Sequence, residues 1–171
     1  MQNKIYFIVG ASDSPTASIT TDLVNSYRAN QKKIVVKALG RPDRIENSGF
    51  RNPLGTIEKI EENTTNMTTP IIFVGWRVVD HIDAIYNKYK DVATFIFTDS
   101  QGNTDEKYFE QFVTPEQIEE IAILQKNSIS NFLEKNSITL DYQTVAQPIF
   151  DKDRNLNLSP TGIRIAVMGS L

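Results

Sequence analysis

Short β-branched runs alternate along the chain with stretches whose apolar residues recur at helical spacing. Lys4–Val9, Lys33–Ala38, Ile71–Gly75 and Ala93–Phe97 each read as a strand. Between them the period changes. Ile19, Leu23, Val24 and Tyr27 share one helical face, predicting a helix from Thr16–Ser18 to near Ala29. Asn52-Pro53 reads as an N-cap with proline at the first helical position, and Leu54, Ile57 and Ile60 are expected to point inward. Val78, Ile82, Ile85, Tyr86 and Tyr89 predict a third helix over Arg77–Tyr89. Thr114-Pro115-Glu116-Gln117 supplies another N-cap, a proline at N1 and a capping-box Gln. From there Ile118, Ile121, Ala122, Ile129, Phe132 and Leu133 carry a stripe towards Lys135.

The pattern changes after that helix. Ile138–Val145 reads as a fifth strand. Pro148–Phe150, the charged turn Asp151-Lys152-Asp153-Arg154 and the apolar run Ile163–Met168 read as a β-hairpin or edge extension. The expected fold is α/β: a three-layer sandwich with a mainly parallel five-stranded sheet, residues 1–147 forming the domain and 148–171 extending it. Ligands of such sheets sit outside the carboxyl ends of the strands. That rule selects Gly10–Ser18, Gly40–Arg44, Gly75–Arg77 and Thr98–Ser100.

Composition narrows the chemistry. With 171 residues, 40% of them hydrophobic, the chain fits one domain that buries a substantial core. A net charge of −3 argues against broad electrostatic capture of nucleic acid. No apolar stretch is long enough to span a bilayer, and the N-terminus lacks the pattern of a secretory signal, so a cytoplasmic location is expected. Zero cysteines and one histidine exclude disulfides, thiolate chemistry and a multi-histidine metal centre within one chain. A metal would be a hard cation on carboxylates, Mg²⁺ above all.

At the first strand end, Gly10 leads into Ala11-Ser12-Asp13-Ser14-Pro15-Thr16-Ala17-Ser18 and then a helix. Free backbone N–H groups at a helix start attract an anion, and Ser14, Thr16 and Ser18 add hydroxyls. The competing reading is a plain connection with Thr16 or Ser18 as N-cap. Asp13 fits there only with an intervening cation. Arg41 and Arg44 follow the second strand as a candidate clamp for a phosphate or carboxylate, or as a solvated loop. Trp76 is a candidate base-stacking residue or a core plug, and Arg77 a candidate anion ligand or a solvent-facing residue. Asp99 ends the fourth strand, placed to hold Mg²⁺ or to close a turn. His81, beside Asp80, reads as a partly exposed helix residue rather than a general base. The run Glu58-Lys59-Ile60-Glu61-Glu62 reads as a solvated helix face.

The opening strand, loop and helix resemble the start of a P-loop kinase. Against G-x-x-x-x-G-K-[ST], Gly10 matches, while Pro15, Thr16 and Ala17 stand at the Gly, Lys and Ser/Thr places. Ser14-Pro15-Thr16-Ala17-Ser18-Ile19-Thr20-Thr21 is similar to the G-P-T-A-S-G-K-T loop of tRNA dimethylallyltransferases, with Ile19 and Thr20 replacing Gly and Lys. Pro70–Asp80, with Arg77 after the third strand, resembles phage deoxynucleoside-monophosphate kinases; there the Walker-B acid place holds Gly75-Trp76. These resemblances imply a nucleotide- or phosphate-ligand protein with a kinase-like core, as a diverged phosphotransferase or a phosphate-ester hydrolase. In that reading Gly10, Ser14, Thr16 and Ser18 hold the anion, Arg41, Arg44 and Arg77 neutralise charge, Trp76 meets a base, and Asp99 and Asp13 hold Mg²⁺, with Asp99 and Arg77 carrying any catalysis. The alternative is a non-catalytic member of the architecture acting in an assembly, with a protein partner or a second copy pairing along Ile163–Met168.

Overall fold

Ile5-Tyr6-Phe7-Ile8-Val9 is buried at every position, the mark of a strand covered on both faces. In the computed structural model, which describes residues 5–11, 16–40, 53–98, 115–138 and 162–166, this run is the central strand of a parallel sheet. Its strands are β1 (Ile5–Val9), β2 (Val35–Ala38), β3 (Ile71–Val74) and β4 (Ala93–Thr98), in spatial order β2-β3-β1-β4. All their pairings are parallel: Phe7 lies opposite Phe73 on one side and Phe95 on the other, and Val35 opposite Ile71. That register stacks the three rings, with centroids 5.3 and 5.0 Å from Phe7.

The C-terminal segment departs from expectation. Gly162–Ala166 forms β5, parallel to β4 with Phe95 opposite Ile163. A hairpin needs antiparallel neighbours, so the expected hairpin is not what these residues form. The strand expected at 138–145 lies, beyond Ile138, outside the described residues.

Among the described residues, five helices accompany the strands: α1 (Thr16–Ala29), α2 (Pro53–Thr64), α3 (Trp76–Asp80), α4 (Ile82–Tyr89) and α5 (Pro115–Lys135). They divide unequally. Ile19, Leu23 and Tyr27 of α1 pack with Tyr6, Ile8, Ile72 and Ile96. Ile60 of α2, Val78 and Val79 of α3, Ile82 and Ile85 of α4 and Phe132 of α5 pack with Ile5, Phe7, Phe73, Phe95 and Phe97 on the other face. Right-handed crossovers give the reason. The chain moves one way across the sheet from β1 to β2 and the opposite way at every later step. One handedness therefore puts α1 on one face and its successors on the other.

Two helical expectations change. The predicted third helix is broken at His81 (φ −115°, ψ 28°), which joins α3 to α4. In α2, Leu54 is 71% exposed, while Thr56 and Ile60 are fully buried. Thr56 and Ile60 are one turn apart and define the inner face; Leu54, two residues before Thr56, points roughly 160° away from it. Gln125 of α5 is buried on the stripe shared with Ala122, Ile129 and Phe132. The acidic face of α2 pairs across helices, Glu61 with Lys88 of α4, both partly exposed.

The ends of β2 and β3 are drawn unusually close. Gly75 has φ +130°, and a Cβ placed there would lie 2.3 Å from the Leu39 carbonyl oxygen. Only glycine tolerates both the dihedral and the contact. Gly75→Ala is expected to destabilise the fold by about 2–4 kcal/mol, strain and backbone displacement together. A shift of the urea midpoint without a change in slope checks this; an unchanged midpoint would refute it.

Candidate functional site

The carboxyl ends of the strands collect the sequence-predicted residues that the structure describes. β1 leaves towards α1 on one face, and its neighbours β3 and β4 leave towards the other. In such sheets the usual ligand position is where the connections diverge, here outside the end of β1. Adjacent strands lie about 4.8 Å apart, so the exits at Gly10, Gly75 and Gly40 follow one another across about 10 Å.

On the β1 side, Gly10 and Ala11 are buried and α1 begins at Thr16. Thr16 and Ser18 therefore lie within the first turn rather than ahead of it. The carbonyl of Thr16 accepts a 2.8 Å hydrogen bond from the Thr20 hydroxyl. No acidic residue occupies the first turn, so the positive end of the helix dipole is not offset there by a carboxylate. Asp13, Ser14, Arg41, Arg44 and Asp99 lie outside the described residues.

On the β3 side the geometry is closed and specific. The Leu39 carbonyl accepts a 3.0 Å bond from the Arg77 N–H, and Leu39 N–H donates to Val74 O at 2.7 Å. The start of α3 is thus capped by the end of β2. Trp76 is 5% exposed, so its ring presents no open face to a base. Its burial is the ordinary fate of a large apolar side chain following a strand. Arg77 is half-buried. Its Nε donates to Thr56 Oγ1 at 2.9 Å, and the same oxygen lies 2.8 Å from His81 Nδ1.

Thr56 is wholly buried and His81 is 6% exposed, correcting the expectation of a partly exposed histidine. The break between α3 and α4 turns the imidazole inward onto α2. Since Nε–H can only donate, Thr56 Oγ1 accepts from Arg77 and its own proton is available to His81 Nδ1. Thr56 and His81 were not among the sequence-predicted site residues. The signal was a threonine on the apolar face of α2, one turn before Ile60 and beside Ile57, a place the sequence reading gave to Leu54.

Among the described residues no group of three or more His, Asp or Glu side chains gathers as a metal site. No helix among them is long and apolar enough to cross a membrane. Comparison with models of known protein families finds none that matches this chain, and comparison with curated proteins finds no match either.

One carboxylate is perturbed. Asp80, the last residue of α3, has Oδ2 enclosed without a hydrogen-bond partner. Burial pushes its carboxyl from 3.8 up to about 7. The folded state therefore holds this proton over a range where the unfolded chain has lost it. The cost is absent below the unfolded pKa, grows as pH rises from about 4 to 7, and is constant above that. Stability is expected to decline over this window by on the order of 1 kcal/mol through this group, after discounting for water around a partly exposed carboxyl. Asp80→Asn should remove that part of the slope in a series of denaturation curves from pH 4 to pH 8; an identical slope in the variant would refute the assignment.

Proposed function

We propose that the protein binds a nucleotide or other phosphate-bearing small molecule at the carboxyl ends of β1 and β3, on a kinase-like α/β core. The observation that supports this reading is the placement of β1 between two strands followed by helices on the opposite face, with a helix whose first turn holds no acidic residue following it. Gly10, Thr16 and Ser18 belong to the anion side, and Arg77 supplies a fixed cation beside the neighbouring strand. Ser14, Arg41 and Arg44 complete the ligand set in this reading, and Asp99 and Asp13 would hold Mg²⁺ if phosphoryl transfer or phosphate-ester hydrolysis takes place. The absence of the P-loop lysine favours binding or slow chemistry over efficient ATP-driven transfer. The chain would work in the cytoplasm.

A second reading, a non-catalytic subunit of an assembly, is supported by one feature. All four residues of the edge strand β2 are exposed, including Val35 at 39% and Val36 at 42%. Among the described residues nothing pairs with the outer side of β2, and such an edge suits pairing with another chain, although Lys37 blunts it. In this reading the C-terminal strand is the other candidate docking element.

Thermal denaturation with nucleoside mono-, di- and triphosphates, each with and without Mg²⁺, separates the two. The first reading expects stabilisation following RT ln(1 + [L]/Kd), about 2.7 kcal/mol at a hundredfold excess over Kd. No change across the whole series would leave the assembly reading.

A further inference from the structure

Arg77 is held at three points. Its N–H is committed to Leu39 O, its Nε to Thr56 Oγ1, and its stem passes Gly40 so closely that a Cβ there would lie 3.0 Å from Cγ. Gly40, at φ +84°, is a residue whose lack of a side chain makes room for this stem. Among the described residues no carboxylate pairs with the guanidinium.

Its position adds a second fact. Thr56 is the fourth residue of α2, so the guanidinium is held against the N-terminal turn of that helix, which contains no acidic residue. A helix N-terminus carries positive partial charge and favours anions, not cations. Two positive groups therefore converge on a half-buried place, an arrangement that costs free energy until an anion joins it. The bonds that create this convergence are internal and involve no carboxylate: Arg77 Nε donates to Thr56 Oγ1, and that hydroxyl meets His81 Nδ1. With Nε occupied, only the two Nη groups remain for a ligand, which leaves the end-on fork that meets two oxygens of one phosphate.

We propose that Thr56 and His81 are positioning residues for Arg77, holding its guanidinium to receive a phosphate oxyanion end-on through both Nη groups. This deepens the reading of a phosphate-binding site at these strand ends and rests on it. The oxyanion is either free phosphate or the terminal phosphate of a monoester, the two sources sharing the chemistry that Arg77 recognises.

The test uses the full chain labelled with ¹⁵N, with the Arg77 Nε–Hε signal followed during titration with inorganic phosphate and, separately, with a nucleoside monophosphate. Movement of that signal by either probe supports the clamp, and movement by the monophosphate alone assigns the source. Thr56→Val, which keeps shape but not the hydroxyl, is expected to weaken binding about tenfold, the scale of a lost charge-assisted hydrogen bond. Thr56→Ser restores the hydroxyl and should stay within about twofold of the parent. His81→Asn, whose amide oxygen can accept the Thr56 proton, should bind more tightly than His81→Phe. Should Thr56→Val fail to fold, Arg77→Gln leaves the Thr56–His81 pair in place and is expected to weaken binding by at least about tenfold.

Parent-like affinity in Thr56→Val or in Arg77→Gln overturns the proposal. So does a silent Arg77 signal while nucleotides still raise the melting temperature, an outcome that leaves the Gly10 side of the proposed site standing. No response to any phosphate compound in either assay removes both.

Discussion

The close approach of the Leu39 carbonyl to Gly75 is the contact on which the geometry of the strand ends depends. A peptide oxygen can enter the space beside Gly75 only because that residue has no Cβ. Once there, it accepts the N–H of Arg77 and ends β2 against the first turn of α3. The direction of α3 follows, and with it the path of Arg77 over Gly40 and the turn at His81 that sends the imidazole into the core. One missing methyl group thus aligns a strand end, a helix start and a charged side chain.

Two kinds of polar burial lie around that corner and behave differently. In the Arg77–Thr56–His81 chain, Thr56 Oγ1 meets both neighbours at hydrogen-bond distance, so the buried hydroxyl is satisfied and the three side chains are fixed against one another. Asp80 has an enclosed oxygen with no partner, and its carboxyl responds by holding its proton. A similar contrast appears on the far face, where Tyr6 and Tyr27 share a 2.7 Å bond between their hydroxyls; desolvation still raises both phenols. Satisfied pairs fix elements against each other, whereas the unsatisfied carboxyl makes stability depend on pH.

The strands were legible because burial on both faces leaves a continuous β-branched and aromatic run, as in Ile5–Val9 and Ile71–Val74. The stripe of α1 was legible because Ile19, Leu23 and Tyr27 repeat with the helical period. On α2, Ile57 and Ile60 face the core as expected, but Leu54 outweighs a threonine on any hydropathy count, and Thr56 is the inward residue that meets His81. The break in the third helix carries no proline or glycine at His81, so no local signal announced it. At the candidate site, Gly10, Gly75 and Arg77 could be found from their place after β-runs. The burial of Trp76 was one of the two readings its size allowed, whereas the partners of Arg77 could not be found, since Thr56 and Leu39 lie more than twenty residues away.

By itself the amino-acid sequence determined the α/β class of the protein and where its strands end. Alternating periods of two kinds can bury their apolar faces only as a parallel sheet clothed by helices, and such a sheet concentrates open backbone at the carboxyl ends of its strands. Tertiary structure decided the strand order, the inequality of the two faces and the role of each polar side chain. Those properties arise from contacts between segments remote in the chain, and the local spacing of residue types carries no record of which remote partner a hydroxyl or a guanidinium will meet.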